Sequence, residues 1–159
     1  ARHRGVIHRL MTCFVGAWLL LLPWTAGAES TVDSPSRLEL RDLTGATVRP
    51  LADDGQKATL LFFVMHECPV ANSYAPEINR ITTEYGAMKI RSYIVYVESD
   101  LSAEGARRDA KDFGFKAGTL LDPKHELVKV AGAKVSPEAA LISPSGEAPV
   151  MALVKVSRS

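Results

Sequence analysis

The stretch Phe62–Pro76, FFVMHECPVANSYAP, places a cysteine where a thiol can do chemistry. An apolar run ends just ahead of Cys68, Pro69 follows at once, and helical spacing begins beyond it. A cysteine that leaves a buried strand and opens a helix lies at the carboxyl end of a sheet, where α/β proteins place their ligands. Free N–H groups and partial positive charge at a helix N-terminus favour a thiolate there. Pro69 suits the first helical position, which needs no hydrogen-bond donor. His66 adds to this effect when protonated, and Glu67 acts against it. The competing reading makes Cys68 a small buried hydrophobe, a common fate of free cysteines.

The rest of the chain decides how many thiols accompany Cys68. Residues 1–28 carry Arg2, Arg4 and Arg9 and no acid. The basic stretch ARHRGVIHRL precedes the apolar run Met11–Trp24, and Ala26-Gly27-Ala28 gives a small-residue cleavage pattern. That is the layout of an export signal ending at Ala28. The apolar run falls short of the roughly 20 residues that span a bilayer as a helix, so a membrane is a partner only if the segment stays uncleaved as an anchor. Cys13 leaves with the signal, and the mature chain keeps one thiol and no internal disulfide. A leftover thiol in an exported domain points to reactivity or intermolecular pairing. Removing the three arginines from the 19 basic residues leaves 16 against 18 acids over residues 29–159. A near-neutral, slightly acidic body offers no basic face for nucleic acid.

The elements that must position Cys68 follow from hydrophobic patterning. Residues 29–37 are polar and read as a linker, and 38–159 as one domain. Leu38–Leu43 and Ala46–Leu51 alternate around Thr44-Gly45 and predict a hairpin. Ala58–Val64 is apolar throughout, as a strand buried on both faces should be. A helix over 71–85 shows Tyr74, Ile78, Ile81 and Tyr85 on one face. Lys89–Val97 reads as a strand, and Ser102–Phe113 as a helix capped by Ser102 and ended by Gly114. Gly118–Leu121 is a short strand, and a helix running through Ala131 opens at Asp122-Pro123. Glu138–Ile142 and Val150–Val156 are the closing strands, joined by a turn at Pro144-Ser145-Gly146. Strands alternating with helices predict an α/β fold, with a mixed central β-sheet flanked by helices and an N-terminal β-hairpin. The charged run Arg107, Arg108, Asp109, Lys111 and Asp112 reads as a solvated helix face.

With these residues in place, the sequence resembles the thioredoxin-like superfamily. The likeness is to its exported redoxin and thiol–disulfide oxidoreductase branch, which is alkyl hydroperoxide reductase/thiol-specific antioxidant-like. It spans roughly residues 36–147 and rests on the order of several elements: the strand–Cys68–helix junction; Pro76, where the family's active-site helix carries its kinking proline; Asp122–Leu127; and Gly132–Ile142, which is similar to the family's cis-proline loop and following strand. A cis bond before proline costs far less than any other cis peptide. The resemblance implies a thioredoxin-like fold, with Cys68 as nucleophile and Pro69, Ser136 and Pro137 in contact with substrate. His66, Glu67 and Pro76 would support them. The partner it implies is a protein or small-molecule thiol or disulfide, with an external thiol reductant and no cofactor.

The departures are as informative. The family's working disulfide needs Cys-x-x-Cys, and here the motif is Cys68-Pro69-Val70-Ala71. A lone thiolate can form a mixed disulfide, but release must come from a second molecule. A one-cysteine peroxiredoxin is the first alternative. Its pattern asks for proline and threonine or serine where this chain has Leu61 and Met65, and for an arginine near Pro137. A Sco-like copper-binding protein is the second, with His66, Cys68 and His125 as nitrogen and sulfur ligands. Such proteins use two cysteines four apart, and Asn72 stands at the second place. A redoxin-like binding module without turnover is the third. The sequence is best read as an exported, periplasmic redoxin domain working through Cys68 alone.

Overall fold

A computed structural model describes residues 34–144. The export signal expected at 1–28, most of the linker expected at 29–37 and the strand expected at 150–156 lie outside the described residues. Pro35–Arg37, read as linker, forms one 3-10 turn.

The sequence-predicted hairpin is present but shorter, as β1 (Leu40–Asp42) and β2 (Thr47–Val48). Its turn is organised by Asp42. That carboxylate accepts the Thr44 N–H at 2.8 Å, the Thr44 hydroxyl at 2.7 Å and the Ala46 N–H at 2.9 Å. Gly45 supplies the positive φ of +88° that the turn requires. The remaining strands are β3 (Ala58–Val64), β4 (Ile90–Tyr96), β5 (Gly118–Leu121) and β6 (Glu138–Ile142). They join the hairpin in one six-stranded sheet of order β2-β1-β5-β4-β3-β6. The β3–β4 and β4–β5 pairs are parallel, while β6 and the hairpin are antiparallel to their neighbours. This is the mixed sheet with an N-terminal hairpin that the patterning predicts.

Every residue of β3 is buried. Side chains alternate across a strand, so its two sets feed two cores. Leu61 and Phe63 pack with Val95, Leu120 and Leu127 on one face. Leu60, Phe62 and Val64 pack with Ile78, Ile94 and Tyr96 on the other. Helices cover both faces: α1 (Pro69–Ser73), α2 (Ala75–Gly86) and α3 (Ala103–Asp112) contribute Ala71, Ile78 and Ala106 to the second core, and α4 (Glu126–Ala131) contributes Leu127 and Ala131 to the first.

Three helix expectations need correction. The helix expected over 71–85 is two helices broken at Tyr74, which closes α1 and opens α2. Pro76 has no N–H to return to Asn72, so the helical ladder is interrupted there. Asp122-Pro123 does not open α4, which begins at Glu126. Asp122 is instead fully buried and accepts the Glu126 and Val128 N–H groups at 2.7 and 3.1 Å. Its carboxylate meets the N–H groups that a helix start leaves unpaired. Finally, α3 does not present a wholly solvated charged face. Asp109 is 5% exposed and turned inward. Ser102 caps this helix as expected, accepting from the Gly105 N–H at 3.0 Å.

Asp122→Ala removes two charge-assisted hydrogen bonds at a buried helix start. It should cost about 2–3 kcal/mol, seen as a lower urea midpoint with an unchanged slope.

Candidate active site

β3 ends at Val64, and the backbone then climbs through Met65, His66 and Glu67 to Cys68. Cys68 is extended (φ −77°, ψ 111°) and stands at the N-cap of α1, with Pro69 in the first turn as expected. Its thiol makes no capping hydrogen bond and is part of no disulfide. The side chain is half-buried and, like Tyr74, packs against the core that holds Ala71 and Tyr96. Because Pro76 breaks the helix, the element that Cys68 opens is only five residues long. Any helix-terminal effect on the thiol therefore comes from the N–H groups of that short first turn, not from a long dipole.

Two carboxylates hold the approach to Cys68. Glu98, two residues past β4, accepts the His66 N–H through Oε1 at 2.5 Å. Asp109 on α3 accepts the Glu67 N–H through Oδ1 at 3.3 Å, and its Oδ2 accepts the Tyr96 hydroxyl. Glu67 adopts φ +54°, in the left-handed region, and the Asp109 contact secures it there. Tyr96 is wholly buried, and burial, reinforced by the Asp109 carboxylate, raises its hydroxyl far above the ordinary phenol range. The His66 Nε2 lies 3.7 Å from Glu67 Oε1, and the Glu67 side chain is largely exposed.

Opposite this loop lies the Ser136–Pro137 segment. Its peptide bond is cis. Phe63 pairs with Glu138 in the β3–β6 register, so Pro137 enters the sheet next to the point where β3 gives way to Met65. Glu138 ties the segment down, its Oε2 accepting the Lys134 and Val135 N–H groups at 2.6 and 3.0 Å. Met65 and Ser136 line one groove of about 230 Å³, shared with His125, Lys134 and Val135. The tertiary fold therefore gathers Met65, His66, Glu67, Cys68, Pro69, Ser136 and Pro137 at one end of the sheet.

His125 does not join the thiol. Its Nε2 sits 2.7 Å from the Val97 carbonyl, which can only accept, so this nitrogen carries the proton. Among the described residues, no three His, Cys, Asp or Glu side chains converge on a position that could hold a metal ion. The His66, Cys68 and His125 ligand set is not assembled. Sequence reasoning also missed Glu98, Asp109 and Glu138. The signal it had was position, since Glu98 stands just past a buried strand and Glu138 directly follows Pro137. Asp109 left none, because a carboxylate in a charged helical run looks solvated.

A parallel β3–β4–β5 core, antiparallel β6 entered through a cis-proline loop, and a cysteine at the N-cap position of the helix after β3 make up a thioredoxin-like fold. Solved structures match it. A secreted Mycobacterium tuberculosis disulfide oxidoreductase, homologous to E. coli DsbE, aligns over 72% of this chain and 81% of its own, with a TM-score of 0.59 and 15% identity. StoA from Bacillus subtilis aligns over 69% and 81%, with a TM-score of 0.57 and 20% identity. A Neisseria meningitidis protein provisionally named a thioredoxin reaches 28% identity over 70% and 73%, at a TM-score of 0.57. No protein-family model and no curated protein sequence matches the chain.

Two outcomes test the supports of this site. Glu138→Ala should speed amide exchange at Lys134 and Val135 by about tenfold or more, read by hydrogen exchange, with β3 amides unaffected. Tyr96→Phe leaves Asp109 Oδ2 without its donor and should cost about 1–3 kcal/mol near neutral pH. The folded state keeps the Tyr96 proton where the unfolded phenol, with its ordinary pKa of 10.0, loses it. That contribution is whole below pH 10 and is lost as pH rises through the higher folded-state value. The lead of wild type over Tyr96→Phe should therefore shrink above pH 10 in denaturant unfolding.

Proposed function

We propose that the domain carries out thiol–disulfide redox chemistry through Cys68 and an intermolecular mixed disulfide. One observation carries this reading: a half-buried cysteine, free of any capping bond, stands at the start of α1, and the loop that leads to it shares a groove with the Ser136–Pro137 loop. The fold supports the class of chemistry, since solved structures that share it include disulfide oxidoreductases.

The step balances without a second cysteine in the chain. The Cys68 thiolate attacks one sulfur of a partner disulfide, a new S–S bond forms, and the displaced sulfur leaves with the electron pair and takes up a proton. An external thiol then attacks the mixed disulfide. Cys68 is released as thiolate and the partner remains joined to that thiol. Pro69, Ser136 and Pro137 are the residues that would meet the partner. His66, Glu67 and Pro76 shape the loop and helix that present the thiol. The basic, apolar, small-residue order of residues 1–28 supports export to an extracytoplasmic space.

Incubation of mature protein with a disulfide-bonded peptide should give a mixed disulfide at Cys68 by mass spectrometry. Glutathione should then discharge it, and Cys68→Ser should form none. Absence of the adduct, or equal glutathione-dependent reduction by wild type and Cys68→Ser, overturns the reading. A peroxide-consumption assay in the same preparation separates it from a peroxidase.

A further inference from the structure

Cys68 is delivered by a turn that its own residues do not favour. The Cys68 N–H donates to the Met65 carbonyl at 3.3 Å, and the Cys68 carbonyl accepts the Asn72 N–H at 2.9 Å. Residues 65–68 therefore form a β-turn that runs straight into α1. Of its two central residues, only Glu67 has a positive φ, at +54°. That is the pattern of a type II turn, which asks for glycine or asparagine at this place. A residue with a side chain is disfavoured there, and glycine is not.

The Glu67 side chain does not offset this cost. It is 81% exposed, and its ion-pair contact is with its neighbour His66. The turn is held through the backbone instead. Rotating the peptide between His66 and Glu67 converts a type II turn into type I, which most residues accept. The N–H of that peptide belongs to Glu67, and Asp109 Oδ1 accepts it at 3.3 Å. Rotation would put the His66 carbonyl oxygen where that N–H is, facing a carboxylate.

Asp109 and Asp122 are the buried carboxylates among the described residues. Asp122 serves the start of α4. Asp109 lies inside α3 and serves no helix start: one oxygen takes the Glu67 amide and the other the Tyr96 hydroxyl. Tyr96 is wholly buried in β4, so the acceptor is itself fixed against the sheet. A charge is tolerated inside a protein only where its hydrogen bonds are met, and this one meets a loop amide one residue ahead of the cysteine.

We propose that Asp109 is a positioning residue for Cys68: clamped by Tyr96, it holds the 65–68 turn in the form that presents the thiol. The proposal rests on the reading of Cys68 as the reacting thiol. Glu67 is bonded directly to Cys68, so rotation of its peptide re-aims the chain from which the thiol-bearing residue departs.

The test follows attack by mature protein on neutral dithiodipyridine, at the plateau rate reached when the thiol is fully ionised. The Cys68 sulfur attacks one sulfur of the reagent, the S–S bond breaks, and the leaving sulfur departs with the electron pair and takes up a proton. Asp109→Ala should lower the plateau roughly tenfold, as fewer molecules keep the disfavoured turn without its bond. With Glu67→Gly already present, the same substitution should cost less than about twofold. Asp109→Asn keeps an oxygen for the amide without the charge and should stay within about twofold of wild type. Asp122→Ala, which lowers stability elsewhere, should leave the plateau unchanged. No loss in Asp109→Ala, an equal loss with and without Glu67→Gly, or Asp109→Asn as slow as Asp109→Ala overturns the proposal. Should Asp109→Ala not fold, Tyr96→Phe removes the clamp and should show a smaller loss that Glu67→Gly abolishes; no loss overturns the proposal. Should wild-type Cys68 prove inert, the thiol reading fails and NMR decides the latch alone. A strong contact between the His66 Hα and the Glu67 amide proton marks the type II turn. Its weakening in Asp109→Ala and its return on adding Glu67→Gly support the latch, and an unchanged contact overturns it.

Discussion

Burial of β3 along its whole length is the constraint on which the rest depends. The strand lies between β4 and β6, and its alternate side chains supply both cores. A one-residue slip in its pairing would exchange Leu61 and Phe63 with Leu60 and Phe62 and misfit both helix layers. Register is thereby fixed, and so is the height at which the backbone leaves the sheet. Cys68 is placed by that height, four residues beyond Val64. The β3–β6 register brings Pro137 to the same level from the antiparallel side. The loop after β3 and the cis-proline loop share one groove because both are anchored to one strand that cannot slide.

Where regular pairing ends, carboxylates take over. Glu98 holds the His66 amide, Asp109 the Glu67 amide, Asp122 the Glu126 and Val128 amides, and Glu138 the Lys134 and Val135 amides. Each meets a backbone donor that the sheet or a helix start leaves unpaired. Bonds of this kind are stronger than those between neutral groups. Loops at this end of the sheet are thereby fixed without a disulfide. The thiol remains uncommitted among them: it caps nothing and pairs with nothing. Pro76 keeps α1 short by breaking the helix at Tyr74, so the local first turn, the loop and its carboxylates define the surroundings of Cys68.

Much of this was legible in the sequence because it depends on local pattern. The uninterrupted apolar run 58–64 announced a doubly buried strand, Gly118–Leu121 and Glu138–Ile142 were bounded by turn chemistry, and Ser102 and Gly114 marked the ends of α3. Cys68, Pro69, Ser136 and Pro137 stood out by residue type and order. The missed features share a cause. Asp109 sits among charged neighbours and Asp122 before a proline, and nothing local says that either faces inward. Whether a carboxylate is solvated or buried on a backbone amide depends on what another element brings against it.

The sequence alone determined the alternation of strands with helical segments from β1 to β6, the single thiol of the body and the proline landmarks around it, because periodicity, turn residues and a count of cysteines are properties of neighbours along the chain. Tertiary structure alone decided which partners meet. It set the Ser136–Pro137 loop beside the Cys68 loop, drew His125 to the Val97 carbonyl instead of to the thiol, and turned Asp109 under Glu67 and Tyr96. The physical reason is distance along the chain. Contacts across tens of residues are set by sheet order and register, which emerge only when both faces of β3 are covered at once.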